Sequence, residues 1–139
     1  MPRRSSTVYR SVELQLVTSG APVRVGADLV YDPADPFAVR VCLRTDGSPA
    51  VQWVVSRDLL ADGLSTPAGD GDVGVWPSVA GGAPVVCLSL SSPDGQALLF
   101  GAHGEVSEFV QRTFDEVPSG HESELLDLDA LVDHLLGGA

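Results

Sequence analysis

Hydrophobic and polar positions alternate through the first half of the chain. In VYRSVELQLV (8–17), Val12, Leu14 and Leu16 alternate with Glu13 and Gln15, the period of two that sends successive side chains to opposite faces of a strand. VRVGADLVY (23–31) sets Val23, Val25, Ala27, Leu29 and Tyr31 on one face, with Arg24 and Asp28 on the other. FAVRVCLR (37–44) turns Phe37, Val39, Val41 and Leu43 inward and Arg40 and Arg44 outward, and VQWVV (51–55) repeats the pattern through Val51, Trp53 and Val55. TSGAP (18–22), the two Asp-Pro steps of 32–36 and TDGSP (45–49) separate the runs. Asp bonds its own backbone in turns, and Pro fixes φ while pushing the preceding residue out of the helical region. Four strands with one polar face each predict an antiparallel sheet packed on one side only.

The period then changes. In SRDLLADGL, Ser56 is placed as an N-cap, Asp58 complements the first turn and Gly63 marks the stop, which predicts a helix of at most two turns. STPAGDGD (65–72) and SVAGGA (78–83) read as loops enclosing a short strand, DVGVW, that ends at Pro77. PVVCLSLSSPDGQALLFGA (84–102) is a hairpin turning at Pro93-Asp94-Gly95. Two helices follow. Val106, Phe109, Val110, Thr113 and Val117 form one stripe, and Leu128, Leu131, Val132, Leu135 and Leu136 form another across 127–136. SGHESE (119–124) links them. Strands, helix, strands, helix is an α+β order.

A chain of 139 residues with 44% hydrophobic positions predicts one globular domain over 1–139, with residues 1–7 flexible. Charge adds asymmetry. The formal net charge is −11; residues 1 to 57 hold seven Arg against five acids, and residues 105 to 139 hold one Arg against nine. Such an acidic total opposes phosphate backbones unless a local arginine patch overrides it. Arg24, Arg40 and Arg44 share the outward phase of neighbouring strands and could form that patch. The plainer reading is a solvated face pairing with Asp28 or with another subunit. Cys42 and Cys87 lie in apolar runs without a CxxC and read as small buried hydrophobes in a reducing compartment. MPRRSSTVYRSVELQL turns polar before an apolar segment forms, and no stretch approaches the length needed to span a bilayer. The expected location is the cytoplasm.

Catalytic motifs fail one after another. His103, His121 and His134 have no ligand spacing and read as surface residues. No GxSxG is present, and GAHGE and AGDGD match neither a P-loop nor a dinucleotide fingerprint. Asp70 and Asp72 resemble the start of a calcium loop, but the later ligands are missing. Asp28, Asp32 and Asp35 place three carboxylates in eight residues, yet none has a nearby histidine or cleft partner. Asp28 falls on a strand's polar face, and Asp32 and Asp35 fall in a turn. No enzyme, metal or cofactor is expected.

Six segments in order, YDPADPFAVRV, VQWVVSRDLLADGL, GDVGVWPS, VVCLSLSSPDGQALL, VQRTFDEVPSGHE and LDLDALVDHLL, resemble the signature segments of the SsgA-like proteins, in particular the SsgB type. The resemblance covers roughly residues 8 to 136. One departure is Gly74, where members often carry Arg. The resemblance implies an actinobacterial protein of sporulation and cell division, without catalysis, acting at division septa. It implies recruitment of the tubulin-like division protein FtsZ together with SsgA-like partners. It also implies two antiparallel sheets with helices, similar to the Whirly (mitochondrial RNA-binding-protein) fold, assembled as a homotrimer. Glu105, Glu108 and Asp133, acids on the closing helices, are the expected partner-binding residues. Whirly relatives bind single-stranded nucleic acid, which supplies the alternative function.

Overall fold

The computed structural model describes residues 6–123. The helix predicted over 127–136, with Asp133 and His134, lies outside them, as do residues 1–5 of the stretch expected to be flexible. Of that stretch, Ser6 is exposed and its backbone N–H donates to Glu116 at 3.0 Å.

Among the described residues eight strands form in chain order: β1 (Val8–Leu16), β2 (Val23–Tyr31), β3 (Ala38–Arg44), β4 (Val51–Ser56), β5 (Ala68–Asp70), β6 (Val73–Ala80), β7 (Ala83–Ser92) and β8 (Gly95–Ala102). Helix α1 (Arg57–Gly63) follows β4, and α2 (His103–Glu116) follows β8. All pairings are antiparallel, in the order β4-β3-β2-β1-β8-β7-β6-β5. This is one eight-stranded sheet, not the two sheets expected. Two meanders are joined where Leu14, Gln15 and Leu16 of β1 pair with Gly101, Phe100 and Leu99 of β8, and Val17 N–H extends the seam to Leu98 O at 2.9 Å. Alternation in the sequence identifies which face of a strand is buried; it carries no information on which edges bond.

The joint is short, and the sheet curls around it. Leu29 and Val41 of one meander and Val75 and Val86 of the other line the same inner cavity of about 30 Å³, together with Leu60 of α1 and Val106 of α2. The inner face of β1 is its even-numbered set: Val8, Val12 and Leu14 are buried, whereas Tyr9 and Ser11 are exposed. Packing on one side only, as the pattern predicts for β1–β4, therefore holds. The helix stripe holds as well, with Val106, Phe109, Val110, Thr113 and Val117 all buried.

Several local expectations are corrected. β6 runs through Pro77 to Ala80. Its partner β5 stops pairing at Val75, so Pro77 bonds only toward β7 and its missing N–H costs no ladder bond on the open side. The segment 78–83 is a hairpin tip rather than a loop: Gly81 and Gly82 have φ of 57° and 80° and close Ala80 onto Ala83, a two-residue turn that needs positive φ twice. Phe37 is 44% exposed, because it sits in the turn before β3 with its carbonyl accepting the Arg57 N–H at 2.8 Å. Cys42 and Cys87 are only half-buried. Ser56 caps α1 as expected, its Oγ accepting from Leu59 N–H at 3.2 Å. Gly63 serves a different purpose from a helix stop. The cap, Leu64, is right-handed, and a Cβ at Gly63 would overlap the Val75 side chain and lie 2.9 Å from Val75 O. Gly63 lets α1 press against β6.

Candidate interaction surfaces

Helix α2 carries the two described acids expected to bind a partner. Its apolar stripe fixes it against the inner side of β1, β7 and β8, leaving Glu105 and Glu108 on its open flank. Arg10, in the inward phase of β1, reaches both: its guanidinium lies 2.8 Å from Glu108 and 3.9 Å from Glu105. The Glu108 side chain remains 63% exposed. A pair so open to water contributes only about 0.2–1 kcal/mol, so it orients the carboxylates more than it stabilises the fold. Asp133, the third expected residue, lies outside the described residues.

What holds α2 in place was not visible in the pattern of the sequence. Arg57, the first residue of α1, is 1% exposed. Its Nη1 donates to Thr113 O at 3.0 Å and Val117 O at 2.7 Å, capping the last turn of α2, and its Nη2 donates to Glu122 at 2.6 Å. The guanidinium also stacks 4.0 Å from the Phe114 ring centroid and 4.9 Å from that of Tyr31. One cation thus joins α1, β2, the end of α2 and the loop after it. Burial pushes the Glu122 carboxyl up, but backbone N–H bonds at Glu122 and Gly120 and the Arg57 guanidinium outweigh it and hold the group below the usual carboxylate range. Burial pushes Tyr31 up to about 12, against the opposing charge of Arg57. Ser56-Arg57 after a strand is the available signal: an arginine at a helix start opposes the helix dipole and so implies a compensating partner elsewhere. His103, read as a surface residue, is part-buried and bridges the helices, its Nε2 lying 2.8 Å from Leu64 O.

The Asp-Pro steps resolve as turn chemistry. Asp32 Oδ1 accepts from Ala34 N–H at 2.9 Å, and Asp32 O accepts from Asp35 N–H at 2.8 Å. Asp28, on the outer sheet face, accepts from Tyr9 OH and from Arg44, each at 2.9 Å. At the end of the curled sheet away from the helices lies an open hollow of about 320 Å³, lined chiefly by Leu16, Val25, Leu43, Trp53, Leu90 and Leu99. It has no acid–base pair. Among the described residues no group of three or more His, Cys, Asp or Glu side chains is placed to hold a metal ion, and no helix is long and apolar enough to cross a membrane.

The family model described as "Streptomyces sporulation and cell division protein, SsgA" matches residues 25–122. The chain belongs to the SsgA family. It is 46% identical over 139 residues to the sporulation-specific cell division protein SsgB of Frankia casuarinae, covering 99% of this chain and 97% of that one. It is 45% identical to the protein of the same name from Streptomyces coelicolor, covering 95% and 97% of the two chains. The crystal structure of the SsgA-like sporulation-specific cell division protein of Thermobifida fusca superposes with a TM-score of 0.87 at 38% identity, over 96% of this chain and 98% of that one. The matched span of the SsgA family takes in the Arg57–Glu122 pair and the acids of α2, whereas Tyr9 and Arg10 precede it.

Proposed function

We propose that this SsgA-family chain is a non-catalytic scaffold of sporulation-specific cell division, acting at division septa by gathering the tubulin-like protein FtsZ with SsgA-like partners. Full-length similarity to proteins named for sporulation-specific cell division carries the reading. The acids of α2 supply its physical side. Glu105 and Glu108 stand on a helix anchored at its far end by Arg57, so their charge is presented from a fixed frame. Exposed charge of this kind sets encounter rate and partner choice more than affinity. Binding by one copy is then weak, and a homotrimer raises it through multivalency. The single-stranded nucleic-acid alternative gains nothing from the structure, since Arg24 and Arg44 of the supposed basic patch are paired with Glu13 and Asp28.

The test is a sedimentation assay with polymerised FtsZ, using wild type and the triple variant Glu105→Lys, Glu108→Lys, Asp133→Lys. Recruitment should fall about tenfold in the variant, with the loss growing at low salt, while the circular-dichroism spectrum stays native. Equal recruitment by both proteins would remove the acids from the mechanism. Failure of wild type to sediment with FtsZ, alongside binding of single-stranded DNA near physiological salt, would refute the scaffold itself.

A further inference from the structure

Strands β1–β4 carry a second surface on the side of the sheet opposite α2. The register sets Tyr9, Val30, Arg40 and Val54 side by side in one row from β1 to β4, about 14 Å across at ordinary strand spacing. Tyr9 is 54% and Val54 58% exposed, although both are large apolar side chains. The adjoining row holds Ser11, Asp28, Cys42 and Gln52. Of the three arginines on this face, Arg44 is bound to Asp28 and Ser11, and Arg24 lies 3.3 Å from Glu13. Arg40 is the exception. Arg10, Arg57 and Arg112 also have acid or carbonyl partners, whereas Arg40 has no hydrogen-bond, ion-pair or ring partner among the described residues.

We propose that this row is a docking surface for a protein segment presenting one carboxylate between apolar side chains, with Arg40 as its anchor. A guanidinium offers a planar fork of donors matched to a carboxylate. Tyr and Arg together are the residues that dominate binding energy at protein interfaces. Tyr9 and Val54 would exclude water from the flanks of the ion pair, which strengthens it. The charge balance selects the partner. One cation without a partner among the described residues suits one carboxylate, while a chain of phosphates laid across the same face would run onto Asp28 and Glu13 in a protein of net charge −11. The surface is separate from the α2 acids, so the inference stands or falls independently of the FtsZ reading.

The experiment probes the full-length chain with immobilised dodecapeptides of four compositions: Asp/Leu, Asp/Ser, Lys/Leu and Asn/Leu. Wild type, Arg40→Gln and Arg24→Gln are compared, with fluorescein-labelled (dT)20 titrated in parallel. Wild type should be retained on the Asp/Leu peptides alone. Arg40→Gln should lose about tenfold of that retention, the scale of a charge-assisted hydrogen bond, and Arg24→Gln should keep it. Both residues are exposed, so circular dichroism should show native spectra throughout. Absence of retention, retention blind to composition, equal signal on Asp/Ser peptides, or equal loss in both variants would each overturn the proposal. Arg40-dependent binding of (dT)20 would overturn it in favour of a phosphate ligand.

Discussion

Replacing Arg57 with Met removes a buried cation while keeping a chain of similar reach. Three donor contacts vanish, to Thr113 O, Val117 O and Glu122. Thr113 O keeps the Val117 N–H at 2.9 Å, and Glu122 keeps the Gly120 N–H at 2.9 Å; Val117 O is left with neither. Hydrogen bonds to a charged group contribute about 1.5–3 kcal/mol each, and removing one partner of a buried ion pair costs about 3–5 kcal/mol. Burial of the Met side chain offsets about 1–2 kcal/mol. The net expectation for Arg57→Met is a loss of about 3 kcal/mol, which for a chain of this length lowers the melting temperature by about 10 °C. Glu122→Leu should cost a similar amount, since it leaves the guanidinium charged and unpaired. The double variant should cost clearly less than the sum, because a buried pair replaced by apolar residues is often near neutral. Urea unfolding followed by far-ultraviolet circular dichroism measures all three, provided the slope with denaturant is unchanged. The pH dependence checks the same pair. Glu122 has a lowered folded-state pKa, so its contribution is present above its ordinary value of 4.5 and fades as pH falls below that. The gap between wild type and Arg57→Met should narrow in the same window. Single variants that add without coupling, or an Arg57→Met protein within 1 kcal/mol of wild type, would refute the clamp.

Gly63→Ala should destabilise by about 1–3 kcal/mol in urea; an alanine normally strengthens a helix interior, and here its Cβ meets Val75. A gain in stability would show that α1 does not press on β6 as described. Gly74→Arg, which supplies the residue that the sequence resemblance leads one to expect there, should change stability by less than about 0.5 kcal/mol. Its Cβ would lie 3.5 Å from Trp76 and 3.6 Å from Ser89, ordinary contact distances, and a large drop in melting temperature would contradict this. Tyr31 favours its neutral form in the fold, so its contribution is intact below pH 10 and is lost as pH rises toward about 12. In a Tyr9→Phe background, where Tyr31 is the one phenol left, absorbance at 295 nm should therefore show its ionisation accompanying alkaline unfolding, and a phenol titrating at 10 in the folded chain would count against its buried setting.

The faces of the strands and the stripe of α2 were legible because each depends on side-chain period alone. Val12, Leu14, Val25 and Leu29 are buried where alternation placed them, and Phe109 and Thr113 where the helical stripe did. Phe37 broke the pattern because a turn, not a strand, surrounds it. The sheet count and the Arg57 clamp were hidden for one shared reason: each is a pairing between segments distant in the chain, whereas the β6 extension was hidden by Pro77, which reads as a strand end but sits where the strand has no neighbour on its other side. Arg57 and Glu122 are 65 residues apart, and no local propensity records that one will neutralise the other. The same limit applied to the outer arginines. Their common phase was readable, but which two would find carboxylates depended on cross-strand neighbours, Asp28 one strand away from Arg44 and Glu13 one strand away from Arg24.

Strand parity on β1 also explains how one small chain keeps two charged surfaces from cancelling. Arg10, at an even position, points inward and is drawn to Glu105 and Glu108 of α2. Tyr9, one residue earlier, points outward and bonds Asp28 on the opposite face. The backbone of a single strand therefore separates the acidic flank of α2 from the Arg40 row by the thickness of the sheet, and neither can swing to neutralise the other. The arrangement persists only while α2 is held in register, and Arg57 fastens the end of α2 farthest from Glu105. A loosened α2 would let its acids sample many orientations and raise the entropy cost of meeting a partner. It follows that Arg57→Met should weaken any binding that uses Glu105 and Glu108 even at temperatures where the chain stays folded, while leaving binding at the Arg40 row unchanged.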